Sequence, residues 1–299
     1  MGVVDRLKAL LPPEAGEMLE AHGNEVTEVR LRTGRPIQVG WGHGCGAMTG
    51  AALGQAALSR TLAALMEFSV YARQEELDLG FFTLNDGSRV GVCGRMLAGA
   101  DGLRMAEIGS ACVRVARPVV GCADGLMPHI AASGGALRSM LLLSPPGMGK
   151  TTMLRDIARQ LSDAGACVGL ADERHELAAC HMGVPTLDVG ARTDVMDGCP
   201  RDQAITRLIR GMSPRVIVAD EIGGEADALA LADAARCGAA IVASAHAYGL
   251  EEALSRSCLR AVLDAGVADC VALLGPHPGM VRGVWRRLGG EGVASWKCA

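Results

Sequence analysis

Residues 144 to 152 read Ser144-Pro145-Pro146-Gly147-Met148-Gly149-Lys150-Thr151-Thr152. The apolar run Met140–Leu143 precedes them, and Met153, Leu154, Ile157, Ala158 and Leu161 follow at the spacing of one helix face. Strand, glycine-bearing loop and helix in that order make the phosphate-binding pattern known as Walker A. Gly147 and Gly149 allow backbone amides to approach phosphate oxygens, and the helix N-terminus adds free N–H groups and the positive end of a dipole. Lys150 supplies a mobile cation for the β- and γ-phosphates, and the Thr151 hydroxyl suits Mg2+. One position departs from the pattern: Ser144 stands where the first glycine belongs. Serine adopts ordinary turn conformations, so a weakening at most is expected.

A second acidic motif completes this chemistry. Arg215-Val216-Ile217-Val218-Ala219-Asp220-Glu221 is an apolar strand ending in two carboxylates, about seventy residues beyond the lysine, as a Walker B strand would be. Asp220 is placed to hold the metal and Glu221 to take a proton from the attacking water. Either motif alone is weak; together, in an α/β half, they point to ATP and Mg2+ as ligands.

Two further strands end in chemistry-bearing side chains. Leu170-Ala171-Asp172-Glu173-Arg174 closes one with an acidic pair, and Ile241-Val242-Ala243-Ser244-Ala245-His246 closes another with a histidine. In open parallel sheets the ligand crevice lies at such strand ends. Glu173 is therefore read as a second catalytic acid, against the alternative of a helix-capping carboxylate, and Asp172 could equally be the residue that faces the site. His246 is read as a γ-phosphate sensor, against the alternative of a core histidine.

The elements that position these groups follow from the apolar pattern. Short runs at Met140–Leu143, Val168–Ala171, Val216–Ala219, Ala239–Ala243 and Val271–Leu274 alternate with helical segments, the mark of a parallel sheet covered on both faces. The fold expected is α/β: a RecA-like P-loop NTPase (AAA+-type) domain over residues 121–299, preceded by a smaller α+β domain over residues 1–120. In that first domain we expect a helix through the first twenty residues, a strand over Val26 to Arg32, and a loop from Pro36 to Ser59 leading into a helix. Residues Leu58 to Leu77 place Leu58, Leu62, Leu65, Ser69 and Ala72 at helical spacing. A hairpin follows through Phe81–Leu84, Asn85-Asp86-Gly87 and Arg89–Val92, then a half-buried strand at Ala111, Val113 and Val115.

With 299 residues, 49% of them apolar, there is material for two cores. A net charge of −4 and 3% aromatic residues give no general pull toward nucleic acid. That weighs against the main alternative, a RecA-like module that binds nucleic acid and uses ATP as a switch; no direct nucleic-acid partner is expected. Eleven cysteines, odd in number and without C-x-x-C pairs, are read as buried free thiols of a cytoplasmic protein.

The order Walker A, acidic pair, Walker B and histidine resembles that of the type II and type IV secretion ATPases, as does the arginine-bearing segment Arg207-Leu208-Ile209-Arg210-Gly211-Met212-Ser213-Pro214. Three longer stretches are more specific: residues 28–36 (EVRLRTGRP), 87–95 (GSRVGVCGR) and 188–200 (DVGARTDVMDGCP). They resemble the stage III sporulation protein AA family, a likeness that runs through about residues 24–275. That resemblance implies a mother-cell ATPase in the cytoplasm, assembled as a ring, a hexamer. It would energise a channel complex between mother cell and forespore, held peripherally at the membrane by a membrane-protein partner. By analogy with related ring ATPases it also implies that at least one of Arg89, Arg95 and Arg114 in the N-terminal half reaches a phosphate. Arg215 stands where the secretion ATPases often have an acidic residue.

Overall fold

A computed structural model of the chain describes residues 3–42, 45–67, 74–78, 80–84, 86–99, 102–116, 119–180, 182–288 and 295–299. These fall into two compact units, Met1–Arg117 with Ala179–His181, and Pro118–Ala178 with Met182–Ala299.

The first unit opens with two helices, α1 (Val3–Leu10) and α2 (Pro13–His22), where the sequence suggested one. Pro12 and Pro13 are the reason: proline lacks the N–H that would continue α1, yet suits the first turn of α2. Strand β1 (Val26–Arg32) lies where expected. The uncharged stretch after Pro36, expected as a loop, instead holds β2 (Ile37–Trp41) and β3 (Cys45–Thr49). There buried Ile37 and Val39 alternate with Gln38, and Gln38 to Trp41 pair with β1, so a short strand is stabilised by its neighbour despite the surrounding glycines. Helix α3 (Gln55–Leu65) buries Leu58, Leu62 and Leu65 and is capped at Met66, short of the expected Leu77, while Ser69 and Ala72 lie outside the described residues. Helix α4 (Gln74–Asp78), β4 (Phe81–Thr83), β5 (Arg89–Gly99) and β6 (Gly102–Arg114) complete the unit. The hairpin is present as β4–β5, with Asn85 outside the described residues.

The six strands form an antiparallel sheet in the order β3-β2-β1-β6-β5-β4. Val29, Leu31, Val39, Val90, Val92, Ala111 and Val113 join the core made with the helices. Residues alternate across a strand, so Glu28, Arg30, Arg89 and Arg114 face the other way. Arg114 is directly opposite both Glu28 and Arg89.

The second unit contains α5 (Met127–Ile130), β7 (Met140–Ser144), α6 (Lys150–Asp163), β8 (Val168–Asp172), β9 (Thr193–Asp197), α7 (Arg201–Met212), β10 (Val216–Ala219), α8 (Glu225–Arg236), β11 (Ala240–His246), α9 (Leu250–Ser255), α10 (Ser257–Asp264), β12 (Cys270–Leu274), β13 (Val281–Leu288) and β14 (Ser295–Cys298). The sheet order is β14-β13-β12-β7-β11-β10-β8-β9, parallel from β12 to β9. Leu141, Leu143, Ile217, Ala219, Ile241 and Ala243 pack with residues of α7, α8 and α10 in one core. Leu142, Leu170, Val218 and Val242 point to the opposite face and are fully buried. Helix α6 covers that side with Met153, Leu154, Ile157 and Leu161. Burying both faces explains why these strands read as unbroken apolar runs.

Edge strand β9 was not foreseen: Thr193-Asp194-Val195-Met196-Asp197 alternates weakly and is only half-buried. The described cysteines are free, but the expectation of buried thiols holds for Cys270 and not for Cys93, Cys167, Cys237 and Cys298, which are exposed. Trp285 and Arg286 sit on β13 between β12 and β14, with Trp285 packed on the core.

The turn into β9 depends on one glycine. Asp188 Oδ1 accepts the Gly190 N–H at 3.0 Å, Gly190 has φ 88°, and Ser162 Oγ accepts the Arg192 N–H at 2.7 Å. A Cβ on Gly190 would lie 2.4 Å from Ser162 Cβ. Gly190→Ala should destabilise the chain by about 1–3 kcal/mol, from left-handed strain and steric conflict together. Urea unfolding followed by circular dichroism measures this, and an unchanged midpoint would show that the turn relaxes freely.

Candidate functional site

The last residue of β7, the loop after it and the first turn of α6 hold the residues of the predicted phosphate site. Gly147 and Gly149 both take left-handed conformations, φ 76° and 86°. At Gly149 a Cβ would stand 3.2 Å from the Gly279 amide nitrogen, which donates to the Met148 carbonyl at 3.0 Å. The loop therefore needs glycine there for both conformation and space. Pro145 and Pro146 carry no N–H of their own and stiffen the approach. The first N–H groups of α6, at Lys150, Thr151 and Thr152, have no intrahelical acceptor and face a prospective anion.

Lys150 is only 5% exposed. Its Nζ donates to His246 Nδ1 at 2.9 Å, to Ser144 Oγ at 3.2 Å and to the Ser144 carbonyl at 3.5 Å. Burial lowers its pKa, and the charges of Asp220 and Glu221 act against that. Because the ammonium can only donate, His246 Nδ1 accepts, which leaves Nε2 as the protonated nitrogen. Nε2 then donates to Glu221 Oε1 at 3.1 Å. Ser144 is fully buried and has no positive φ, so the missing glycine is not needed for backbone conformation.

The Walker B carboxylates sit one strand further along. Thr151 Oγ1 donates to Asp220 Oδ2 at 2.5 Å, and the Ser244 hydroxyl donates to Asp220 Oδ1. A hydroxyl and a carboxylate meeting in this way are hard oxygen donors suited to Mg2+, with phosphate oxygens and water completing the shell. Among the described residues there is no group of three or more His, Cys, Asp or Glu that would hold a metal alone. Glu221 has φ 53°, unusual for a non-glycine residue, and its N–H donates to Ser244 Oγ at 3.0 Å. Ser244 thus fixes both acidic residues. Its signal in the sequence was a hydroxyl inside an apolar strand, two residues before His246.

The acidic pair at the end of β8 separates into two different roles. Asp172 is buried and accepts the N–H groups of Glu176, Leu177 and Ala178 at 2.8, 3.0 and 2.8 Å. Burial pushes its pKa up, while those three N–H groups pull the other way. It shapes the following turn. Glu173 accepts from Arg201 at 2.8 Å, and Arg201, 8% exposed, also reaches Asp227 at 2.9 Å. Asp227 in turn accepts the N–H groups of Gly223 and Gly224, both at 3.1 Å, just after Glu221. Glu173, Arg174, Arg201, Asp220 and Glu221 line one cleft. Arg174 and Arg201 were not singled out from sequence, since a lone arginine after a strand carries no spacing signal. Arg89, Arg95 and Arg114 belong to the first unit: Arg89 lies 3.7 Å over the Phe81 ring, Arg95 is 3.9 Å from Glu107, and Arg114 is exposed on β6.

A parallel sheet, a glycine loop opening α6, and lysine, histidine and carboxylates at adjoining strand ends define a RecA-like P-loop protein. The ATPase DotB of Legionella pneumophila shares this fold with TM-score 0.56 and 17% identity, over 92% of this chain and 76% of its own. The pilus retraction motor PilT with bound ADP aligns with TM-score 0.56 and 13% identity, over 95% and 82%. The chain belongs to the sporulation stage III protein AA family, whose model matches residues 11–291. It is 35% identical over 263 residues to stage III sporulation protein AA of Bacillus subtilis (strain 168), covering 85% of this chain and 83% of that protein. A plant relative, protein SEEDLING PLASTID DEVELOPMENT 1 of Arabidopsis thaliana, is 30% identical over 200 residues, 66% of this chain but 28% of its own length.

Ser144 Oγ contacts Lys150 and donates to the Pro145 carbonyl at 2.6 Å, so in this arrangement it competes with phosphate for the lysine. Ser144→Gly should therefore leave ATP affinity unchanged or raise it by no more than about tenfold, the scale of one such hydrogen bond. Calorimetric titration reads this, and a large loss of affinity would mean that the hydroxyl itself contacts phosphate.

Proposed function

We propose that this chain is a Mg2+-dependent ATPase that works as a ring motor of the secretion-ATPase type. The observation that carries the proposal is the run of direct contacts from Lys150 to His246 to Glu221, beside the Thr151–Asp220 pair. Lys150 and the α6 N-terminus neutralise the β- and γ-phosphates of ATP, and Thr151 and Asp220 would hold Mg2+, which screens the same oxygens. Glu221 orients a water and takes its proton; His246, touching both Lys150 and Glu221, registers whether a γ-phosphate is present. The chemistry needs positioning and charge neutralisation rather than a covalent intermediate.

Family membership supports a role in sporulation, in the mother-cell cytoplasm, with a membrane protein of the sporulation channel as partner. Among the described residues no helix is long and apolar enough to cross a membrane. In this reading at least one of Arg89, Arg95 and Arg114 completes the charge around the phosphate, within one subunit or across a head-to-tail interface that closes into a ring, a hexamer.

In a ring a neighbouring subunit contributes to the site, so ATPase rate per subunit should rise with protein concentration. A dilution series with light scattering in parallel tests this. A flat rate from a chain that stays monomeric throughout would contradict the ring motor and favour an ATP switch.

A further inference from the structure

The cleft beside Glu221 contains two arginines, and they are held very differently. Arg201 is buried and fixed by Glu173 and Asp227. The Arg174 side chain is 61% exposed and paired with one group, the Glu221 carboxylate. That carboxylate is thus engaged at both oxygens, by His246 on Oε1 and by Arg174 on Oε2. An incoming water must share that carboxylate with both contacts.

The backbone around Arg174 is anchored on each side. Glu173 is bound to Arg201, and His175 Nδ1 lies 2.7 Å from Asp197 Oδ1. Asp172 accepts three successive N–H groups of the same turn. Arg155, on the helix that begins with Lys150, donates to the carbonyls of Glu176 and Leu177, both at 2.6 Å. The turn is therefore tied to the phosphate-binding helix itself. Between these anchors Arg174 alone projects a long, exposed cation into the cleft.

We infer that Arg174 is a further catalytic residue, a cation supplied from within the subunit that transfers from Glu221 to the γ-phosphate when ATP binds. The inference rests on the ATPase reading above. A γ-phosphate held by Lys150 and attacked by a water on Glu221 must lie next to the group that Arg174 already touches. A largely exposed ion pair is weak and easily exchanged. A phosphate offers the guanidinium two oxygens and more charge than one carboxylate. The exchange releases Glu221 at the moment its substrate arrives. In the reaction the water oxygen bonds to the γ-phosphorus, and its proton passes to Glu221. The bond from that phosphorus to the β–γ bridging oxygen breaks, and the electron pair leaves with ADP. Arg174 neutralises charge on the transferred group throughout.

The test compares the full-length wild type with Arg174→Ala and Arg174→Lys, each with Mg2+. It reads the affinities for ADP and for a non-hydrolysable ATP analogue by calorimetry, together with kcat. Arg174→Ala should lose about tenfold or more in affinity for the analogue while ADP affinity stays within about twofold, and kcat should fall by about a hundredfold or more. Arg174→Lys, with charge but no fork, should fall between. Equal losses for both nucleotides, an unmoved analogue-to-ADP ratio, or kcat at or above the wild-type rate would overturn the role of Arg174. A wild-type chain that binds neither nucleotide would overturn the ATPase reading along with it.

Discussion

The site depends on strand order. Strands β7, β11, β10 and β8 lie side by side and parallel, so their C-terminal ends share one edge. Lys150, His246, Glu221 and Arg174 follow those four ends in the same succession, and each touches the next. Burial of both faces of the sheet holds the edge rigid. A lysine as buried as Lys150 would be costly without partners. Here Ser144 and His246 supply acceptors, and nearby Asp220 and Glu221 supply the opposing charge. Nucleotide phosphates would take over that role.

The second layer of the site keeps this edge in shape. Asp227 binds the amides of Gly223 and Gly224, Ser244 binds Asp220 and the Glu221 amide, and Arg201 joins Asp227 to Glu173. Together they hold Glu221 in a left-handed conformation that a free chain would avoid. Strain kept at one residue by surrounding hydrogen bonds is a common means of presenting a reactive side chain at a fixed angle.

Much of this was legible in the sequence, for identifiable reasons. The phosphate loop and the Asp220–Glu221 strand carry local signals, because glycine spacing and an unbroken apolar run depend on near neighbours only. The five apolar runs all became strands of the parallel sheet for the same reason. The contacts among strand ends were not legible: along the chain the acidic pair precedes Asp220 and His246 follows it, whereas in space His246 lies between Lys150 and Glu221. The separate environments of Asp172 and Glu173 depended on a turn and on Arg201, neither of which leaves a pattern in composition. Strands β2, β3 and β9 were missed because pairing with a neighbour, and not their own propensity, makes them strands.

The central claim is that Lys150 is the cation around which nucleotide binding is organised, and removing it tests that claim most directly. Calorimetric titration of ATP with Mg2+ into wild type and into Lys150→Ala should show binding to the first and a loss of at least about a hundredfold in the second, as expected when a phosphate site loses its buried cation. Equal affinity in the two proteins would contradict the account, because the contacts from Lys150 through His246 to Glu221 would then have no part in holding a nucleotide.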